Sequence, residues 1–447
     1  MKPNEQIPVI QVGIMSEKEL GFTFNGSFSC SAKSDVIDGD WKAIYSDGTI
    51  ILSSEKNLPL SGKEILFTPL SPEASFTLHS VTIGVNFHWQ REEDQTFRGK
   101  LKLVIEKGRI TAINILPLED YLISVISSEM SATSSAELLK AHAVISRSWL
   151  LAQIEKNKTL GRSPKKYQSF YRTDTEITRW YDREDHEKFD VCADDHCQRY
   201  QGITRASTPL VEHVVRETSG EVLTYNNLIC DARFSKCCGG VTEVFENTWE
   251  PVNHPYLQKL VDNPVAPEGF SLNLEENESA EKWINGKPDA FCNTTDAAVL
   301  RQVLNDYDQE THDFYRWSVT YDQDDLSRLV FDRTGIDFGQ VTDIIPLTRG
   351  TSGRITRLQI KGTKTGMILG KELEIRKALS KSHLYSSAFL VEKKEAGGKV
   401  TFTLKGAGWG HGVGLCQIGA AVMGSKGYSY KEILEHYFRG ASLSKRY

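Results

Sequence analysis

The chain has 447 residues, 39% hydrophobic and 25% charged, with a net charge of −6. That length allows roughly two to four domains with buried cores, and the charge gives no global attraction to nucleic acid or to an anionic membrane. No apolar run approaches the roughly 18 residues that span a bilayer, and eight cysteines are too few for a disulfide scaffold.

The opening "MKPNEQIPVIQVGIM" holds no apolar run of signal-peptide length, which leaves a cytoplasmic chain and one that begins after its leader both open. Residues 1–96 read as a β-rich region of short strands, among them "IPVIQVGIM" and "GTIILSS", with "SDG" and "LSG" as turns. From 97 onward, "FRGKLKLVIEKGRITAINILPLEDYL" predicts two strands around Lys107-Gly108, the second running into a helix. "VISSEMSATSS" follows as a short polar loop between helical segments, with Glu129 in it. Such a place suits a catalytic carboxylate, although the stretch taken alone fits a solvent-exposed loop glutamate better.

Next comes a long helix. Ser134 and Glu137 stand at capping-box spacing. Leu138, Ala141, Ile145, Trp149 and Ala152 form one apolar face, and Leu139, Ala143, Leu150 and Leu151 the other, so the helix should be buried. Arg147 lies on the second face, where a guanidinium needs a carboxylate or several carbonyls. Further strands are predicted at "GEVLTYNN", "RITRLQIKG" and "KVTFTLKGAG", and the polar, acidic stretch from 261 reads as an excursion. The fold class is α+β with strands in the majority.

Three clusters carry chemistry. "HEKFDVCADDHCQRYQG" places His186, Cys192, His196 and Cys197 within a dozen residues, a tetrahedral donor set for zinc; four protein ligands imply a structural ion rather than a catalytic one. Cys230, Cys237 and Cys238 with a distant fourth ligand form a weaker candidate, and buried free thiols are the better reading there. "ARFSKCCGGVTEVFENTW" sets Ser235 and the Gly239-Gly240 pair ahead of Glu243 and Glu246, either of which could partner a reaction or simply be a solvated strand residue. "GWGHGVGLCQIGAAVMG" lacks the lysine and hydroxyl of a phosphate loop, and Cys416 with His411 makes a poorly oriented dyad. A substrate floor of bare amides, with Trp409, His411 and Gln417 facing a polyhydroxylated ligand, accounts for it better. "QIGAAVMGSKGYSYKEILEHYF" then predicts a helix, a turn at Gly427 and a second helix.

In this order, "LPLEDYLISVISSEM…AELLKAHAVISRSWLL", "ARFSKCCGGVTEVFENTW" and "GWGHGVGLCQIGAAVMGSKGYSYKEILEHYF" resemble the SpoIID/LytB family of peptidoglycan-acting proteins. The resemblance covers residues 97–447, with 261–345 poorly matched, and leaves 1–96 outside. It implies a lytic transglycosylase that cuts glycan strands stripped of stem peptides, with Glu129 as general acid and base. Arg147, Ser235, Gly239, Gly240, Trp409, His411, Gly412 and Gln417 would bind substrate, and His186, Cys192, His196 and Cys197 would hold zinc. Cys237 and Cys238 stand where the family more often has small polar residues, and Cys416 replaces a common serine. The resemblance also implies the cell envelope as the site of action, glycan strands as partner, and no nucleic acid. LytB-like relatives leave a non-catalytic alternative, a glycan-binding enhancer of a cell-wall amidase.

Overall fold

The computed structural model describes residues 6–55, 59–84, 90–131, 133–160, 167–181, 186–194, 197–204, 207–303 and 313–447, with backbone alone at 33–35 and 157–160. Strand residues outnumber helical ones, 38% against 24%, the expected α+β balance. Among the described residues no helix is long and apolar enough to cross a membrane.

Period-two alternation builds the largest sheet. Leu20, Phe22, Phe24 and Phe28 point inward from strand Glu19–Cys30 and are buried. Phe24 packs on Phe28 at 4.4 Å and on Phe67 at 5.0 Å. The sheet has eleven strands and runs across residue 96 without a break: Val9–Glu17 pairs with Arg109–Pro117, which pairs with Lys100–Glu106. Its far edge is Val191–Cys192, laid parallel to Val12 and Gly13.

Helix α1 (Leu118–Glu129) leaves this sheet directly after Pro117, with Glu119 and Asp120 at its positive end and Leu118, Tyr121, Leu122, Val125 and Ile126 buried. Met130 turns extended and ends it. Glu129 is therefore the last helical residue, not a loop residue as its polar neighbours suggested. Helix α2 (Ala136–Leu160) is buried on both sides, as its all-round apolar pattern requires. Its start differs from the capping box read at Ser134 and Glu137. Ser135 Oγ accepts the Leu138 amide, Ser134 Oγ donates to the Gln302 carbonyl, and Glu137 accepts the Tyr430 amide.

The remaining predicted strands form at Glu221–Tyr225, Ile355–Gly362 and Lys399–Ala407, and the C-terminal pair forms as helices Gln417–Ser425 and Tyr430–Tyr437. Ser429 and Glu432 make a full capping box on the second. A second apolar core, with Trp317, Leu358, Ile360, Ile375, Phe389, Phe402 and Leu404 at its centre, belongs to residues 316–404 and takes in Ile177. Within the excursion, helix Asn277–Asn285 buries Trp283 against Val241 and Leu274.

Candidate active site and metal-ligating clusters

A cleft of about 250 Å³ gathers residues from every block singled out in the sequence: Glu129, Trp149, Cys197, Ser235, His411 and Gln417 line it. Glu129 projects from the end of α1, and its Oε1 accepts the Arg199 amide at 3.3 Å. Among the described residues it is the sole carboxylate of the lining. The parallel pairing of Phe234–Ser235 with Leu415–Cys416 sets Ser235 beside the start of the Gln417 helix. The Ser235 hydroxyl is buried in the cleft wall with no hydrogen-bond partner among the described residues. A buried hydroxyl of this kind usually waits for a ligand or water.

Gln417 is buried and contacts the His142 ring through Nε2 at 3.2 Å, while His142 Nδ1 lies 3.2 Å from Ser146 Oγ. Burial, with a contribution from Lys236, pushes His142 down to about 3. The ring is neutral and accepts from the Gln417 amide, which fixes the direction of the glutamine. His411 is neutral too: burial first, then the charges of Arg233, Arg354 and Arg376, hold it well below the usual histidine range. Its Nδ1 accepts the Val413 amide at 3.0 Å, and a further bond joins it to the Phe234 backbone. The ring meets Trp249 edge-on at 5.0 Å. His411 thus joins the glycine strip to the Phe234 strand.

The sequence reading missed several lining groups. Arg233 is held by Asp231 at 2.6 and 3.0 Å and lies 4.3 Å over Trp249. Lys236, Gln198 and Trp249 also face the cleft. The signal was present as two cations flanking "FS" and as the tryptophan that ends the same block.

Five residues expected to bind substrate do not line the cleft. Arg147 is fully buried and forms a bidentate pair with Glu119, 2.9 and 2.6 Å, with further bonds to the Glu221 and Val215 carbonyls. Trp409 exchanges backbone hydrogen bonds with Cys237 and packs its ring on Phe314 and Tyr385, at 4.7 and 4.5 Å. Gly239 gives the Gly408 backbone room to approach, and Gly240 lies under Trp283 and Tyr315. Gly412 has φ +77°, and a Cβ there would lie 2.4 Å from the Arg354 guanidinium. Arg354 reaches across that gap to bond the Gly410 carbonyl at 3.0 and 3.1 Å. The glycine strip is bare because its own protein presses against it.

Glu243 and Glu246 are not partners in the cleft either. Glu243 is buried, and Thr351 and Ser352 donate to it through backbone amides and hydroxyls, the Ser352 hydroxyl at 2.6 Å. Glu246 accepts from Asn253.

Two groups of metal-ligating atoms stand out, each with its donor atoms within 4.8 Å of one another. One is His186, Cys192 and Cys197, with Cys197 Sγ 3.6 Å from His186 Nε2; His196 lies outside the described residues. The donors fit zinc, since a zinc tetrahedron with thiolates at about 2.3 Å has edges of about 3.8 Å. The other is Cys238, Asp262, Cys292 and Cys416, all buried. It replaces the grouping of Cys237 and Cys238 with Cys230, which stands apart as a buried thiol pushed up to about 12 by desolvation.

Residues 106–225 match the family described as stage II sporulation protein, SpoIID, and 243–414 match a domain of unknown function, DUF8618. Stage II sporulation protein D of Bacillus amyloliquefaciens is 28% identical over 334 residues, 75% of this chain and 76% of its own. The protein of the same name from Bacillus subtilis is 26% identical over 337 residues, again 75% and 76%. The amidase enhancer of Bacillus subtilis is 26% identical over 250 residues, 52% of this chain and 32% of its own. Residues 106–225 thus carry a SpoIID domain, and the named relatives support a place in the SpoIID/LytB family and a role related to the cell wall.

Proposed function

We propose that this chain is a lytic transglycosylase of the cell envelope, acting on peptidoglycan glycan strands that lack stem peptides. The observation that supports it is Glu129, the lone carboxylate among the described residues that line the cleft. Hydrolysis by inversion or retention ordinarily uses two carboxylates. An intramolecular transfer needs only one. Glu129 starts protonated and gives its proton to the oxygen between N-acetylmuramic acid and N-acetylglucosamine. The bond breaks to an oxocarbenium-like sugar, and the carboxylate takes the proton from the sugar's C6 hydroxyl as that oxygen closes on C1. The product carries a 1,6-anhydro end and no water is consumed.

The other lining residues suit such a substrate. Trp149 and Trp249 make part of the wall apolar, and Ser235 and Gln417 offer polar groups to hydroxyls and the N-acetyl group. Arg233 and Lys236 put positive charge where a stripped muramoyl residue carries a free lactyl carboxylate. We assign zinc to His186, Cys192 and Cys197, with His196 as the fourth ligand. When bound, the ion cross-links the loop that carries Arg199, whose amide orients Glu129.

The test is the mass of the products from stripped glycan strands. Wild type should release anhydro-ended fragments and Glu129→Gln none. Ends that carry added water would point to hydrolysis. Strand binding without any cleavage would favour the enhancer reading, in which the partner is a cell-wall amidase, as the name of one relative suggests.

A further inference from the structure

We infer that Cys238, Asp262, Cys292 and Cys416 form a second, fully buried zinc site that staples the excursion after residue 261 to the base of the cleft. The four come from separate parts of the chain. Cys238 follows the bridge to Trp409, and Cys416 is the residue before the Gln417 helix. Asp262 is held by its amide on the Gly240 carbonyl, and its own carbonyl accepts the Phe291 amide.

The case rests on charge and on distance. Asp262 is 0% exposed, yet among the described residues its ion-pair partner is the His436 imidazole, 3.7 Å away. A buried carboxylate with so little counter-charge is costly, and groups of this kind are paired or bound to metal. Three thiols surround it, with Cys238 Sγ 3.6 Å from Cys292 Sγ. A disulfide requires about 2.05 Å, whereas the edge of a zinc–thiolate tetrahedron is about 3.8 Å. An iron–sulfur cubane needs its cysteine sulfurs on a much larger tetrahedron, so donors that all lie within 4.8 Å select a single ion.

The surroundings match those of a bound metal. Tyr437 donates its hydroxyl to Asp262 Oδ1 at 2.6 Å, the Cys292 amide donates to Oδ2 at 3.0 Å, and the Cys238 amide donates to Cys416 Sγ at 3.2 Å. Such outer bonds orient ligands and stabilise thiolates. Gly419 completes the fit, because a Cβ there would strike the Tyr437 hydroxyl and the Asp262 carboxylate. With four protein donors the ion is structural. It joins Cys416, beside Gln417, to Cys238, three residues beyond Ser235.

The test is metal content of the full chain, purified under reducing conditions, by native mass spectrometry and elemental analysis. The Cys192→Ser/Cys197→Ser double variant removes the ligands nearer the surface and should retain about one zinc per chain. Adding Cys292→Ala should remove it. Cobalt in the double variant should give an intense thiolate charge-transfer band, absent after Cys292→Ala. A folded double variant without metal overturns the inference, and so does an intact mass two hydrogens lighter than the reduced chain, which would mean a disulfide. Should Cys292→Ala fail to fold, the double variant alone decides. Neither arm depends on whether the chain cuts glycan.

Discussion

Arg147 and Glu119 face each other across the α1–α2 interface in a two-bond ion pair, and neither reaches the cleft. The guanidinium is fully enclosed, and Glu119 also accepts from the Gly220 amide and the Tyr447 hydroxyl. Removing one partner strands the other charge in the interior, at a cost of about 3–5 kcal/mol. Arg147→Met should therefore lower the urea midpoint sharply. Arg147→Lys should recover little, since a lysine lacks the planar fork. If Arg147→Met instead keeps wild-type stability and loses only strand binding, the arginine belongs to the site after all.

Glu129→Gln keeps the size and hydrogen-bonding reach of the side chain but holds no transferable acidic proton. The fold should be unchanged by circular dichroism, and the rate of anhydro-end formation should drop on the order of 100- to 10,000-fold. Strand affinity should stay within a few-fold of wild type.

Lys236 lines the cleft, and its ammonium donates to the Val303 carbonyl at 2.5 Å. With Lys236→Met, binding of stripped strands should weaken about tenfold, the scale of one charge-assisted contact. Strands whose lactyl group is masked as an amide should lose much less. Equal losses on both substrates would remove the carboxylate from the argument.

His142 gives a pH signature. Its folded value, about 3, lies below the ordinary value of about 6.5, so between these limits the unfolded chain binds a proton that the folded one does not. The stabilisation is complete above about pH 6.5 and is lost as pH falls. Between pH 6.5 and 5 this amounts to at most about 2 kcal/mol. His142→Gln, which cannot protonate, should flatten that slope in urea titrations at the two pH values, against the parallel contributions of His411, His383 and His254, which burial also holds below the usual histidine range.

Gly412→Ala places a methyl in the space of the Arg354 guanidinium at a positive φ. Gly427 has φ +87° with no atom within 4 Å. Gly427→Ala should cost only the backbone strain, about 1–2 kcal/mol. Gly412→Ala should cost clearly more, because Arg354 must release Gly410. Comparing the two melting temperatures separates strain from displacement.

Much of this was legible in the sequence. The apolar pattern around α2 announced a buried helix, and the turn at Gly427 separated the last two. Glu129, Ser235, His411 and Gln417, each singled out in a short block of sequence, come together in one cleft because those blocks fold against one another. Arg147, Gly239, Gly240, Trp409 and Gly412 sit in the same blocks yet face inward. What fills the space before a glycine lies elsewhere in the chain: for Gly412 it is Arg354. The Cys238–Asp262–Cys292–Cys416 group escaped for the same reason, since its members are separated by as many as 178 positions. His142 carried a faint signal, an imidazole inside an otherwise apolar face.

Strand Val9–Glu17 holds Arg109–Pro117 on one side and Val191–Cys192 on the other. Shortening the chain from its amino end past that strand would therefore unzip two seams together. One seam leads through Pro117 into the helix that ends at Glu129. The other fixes the height of Cys192 and, five residues on, of Cys197. Strand Val9–Glu17, which is not part of the cleft lining, sets the distance between the acid and the loop that steadies it.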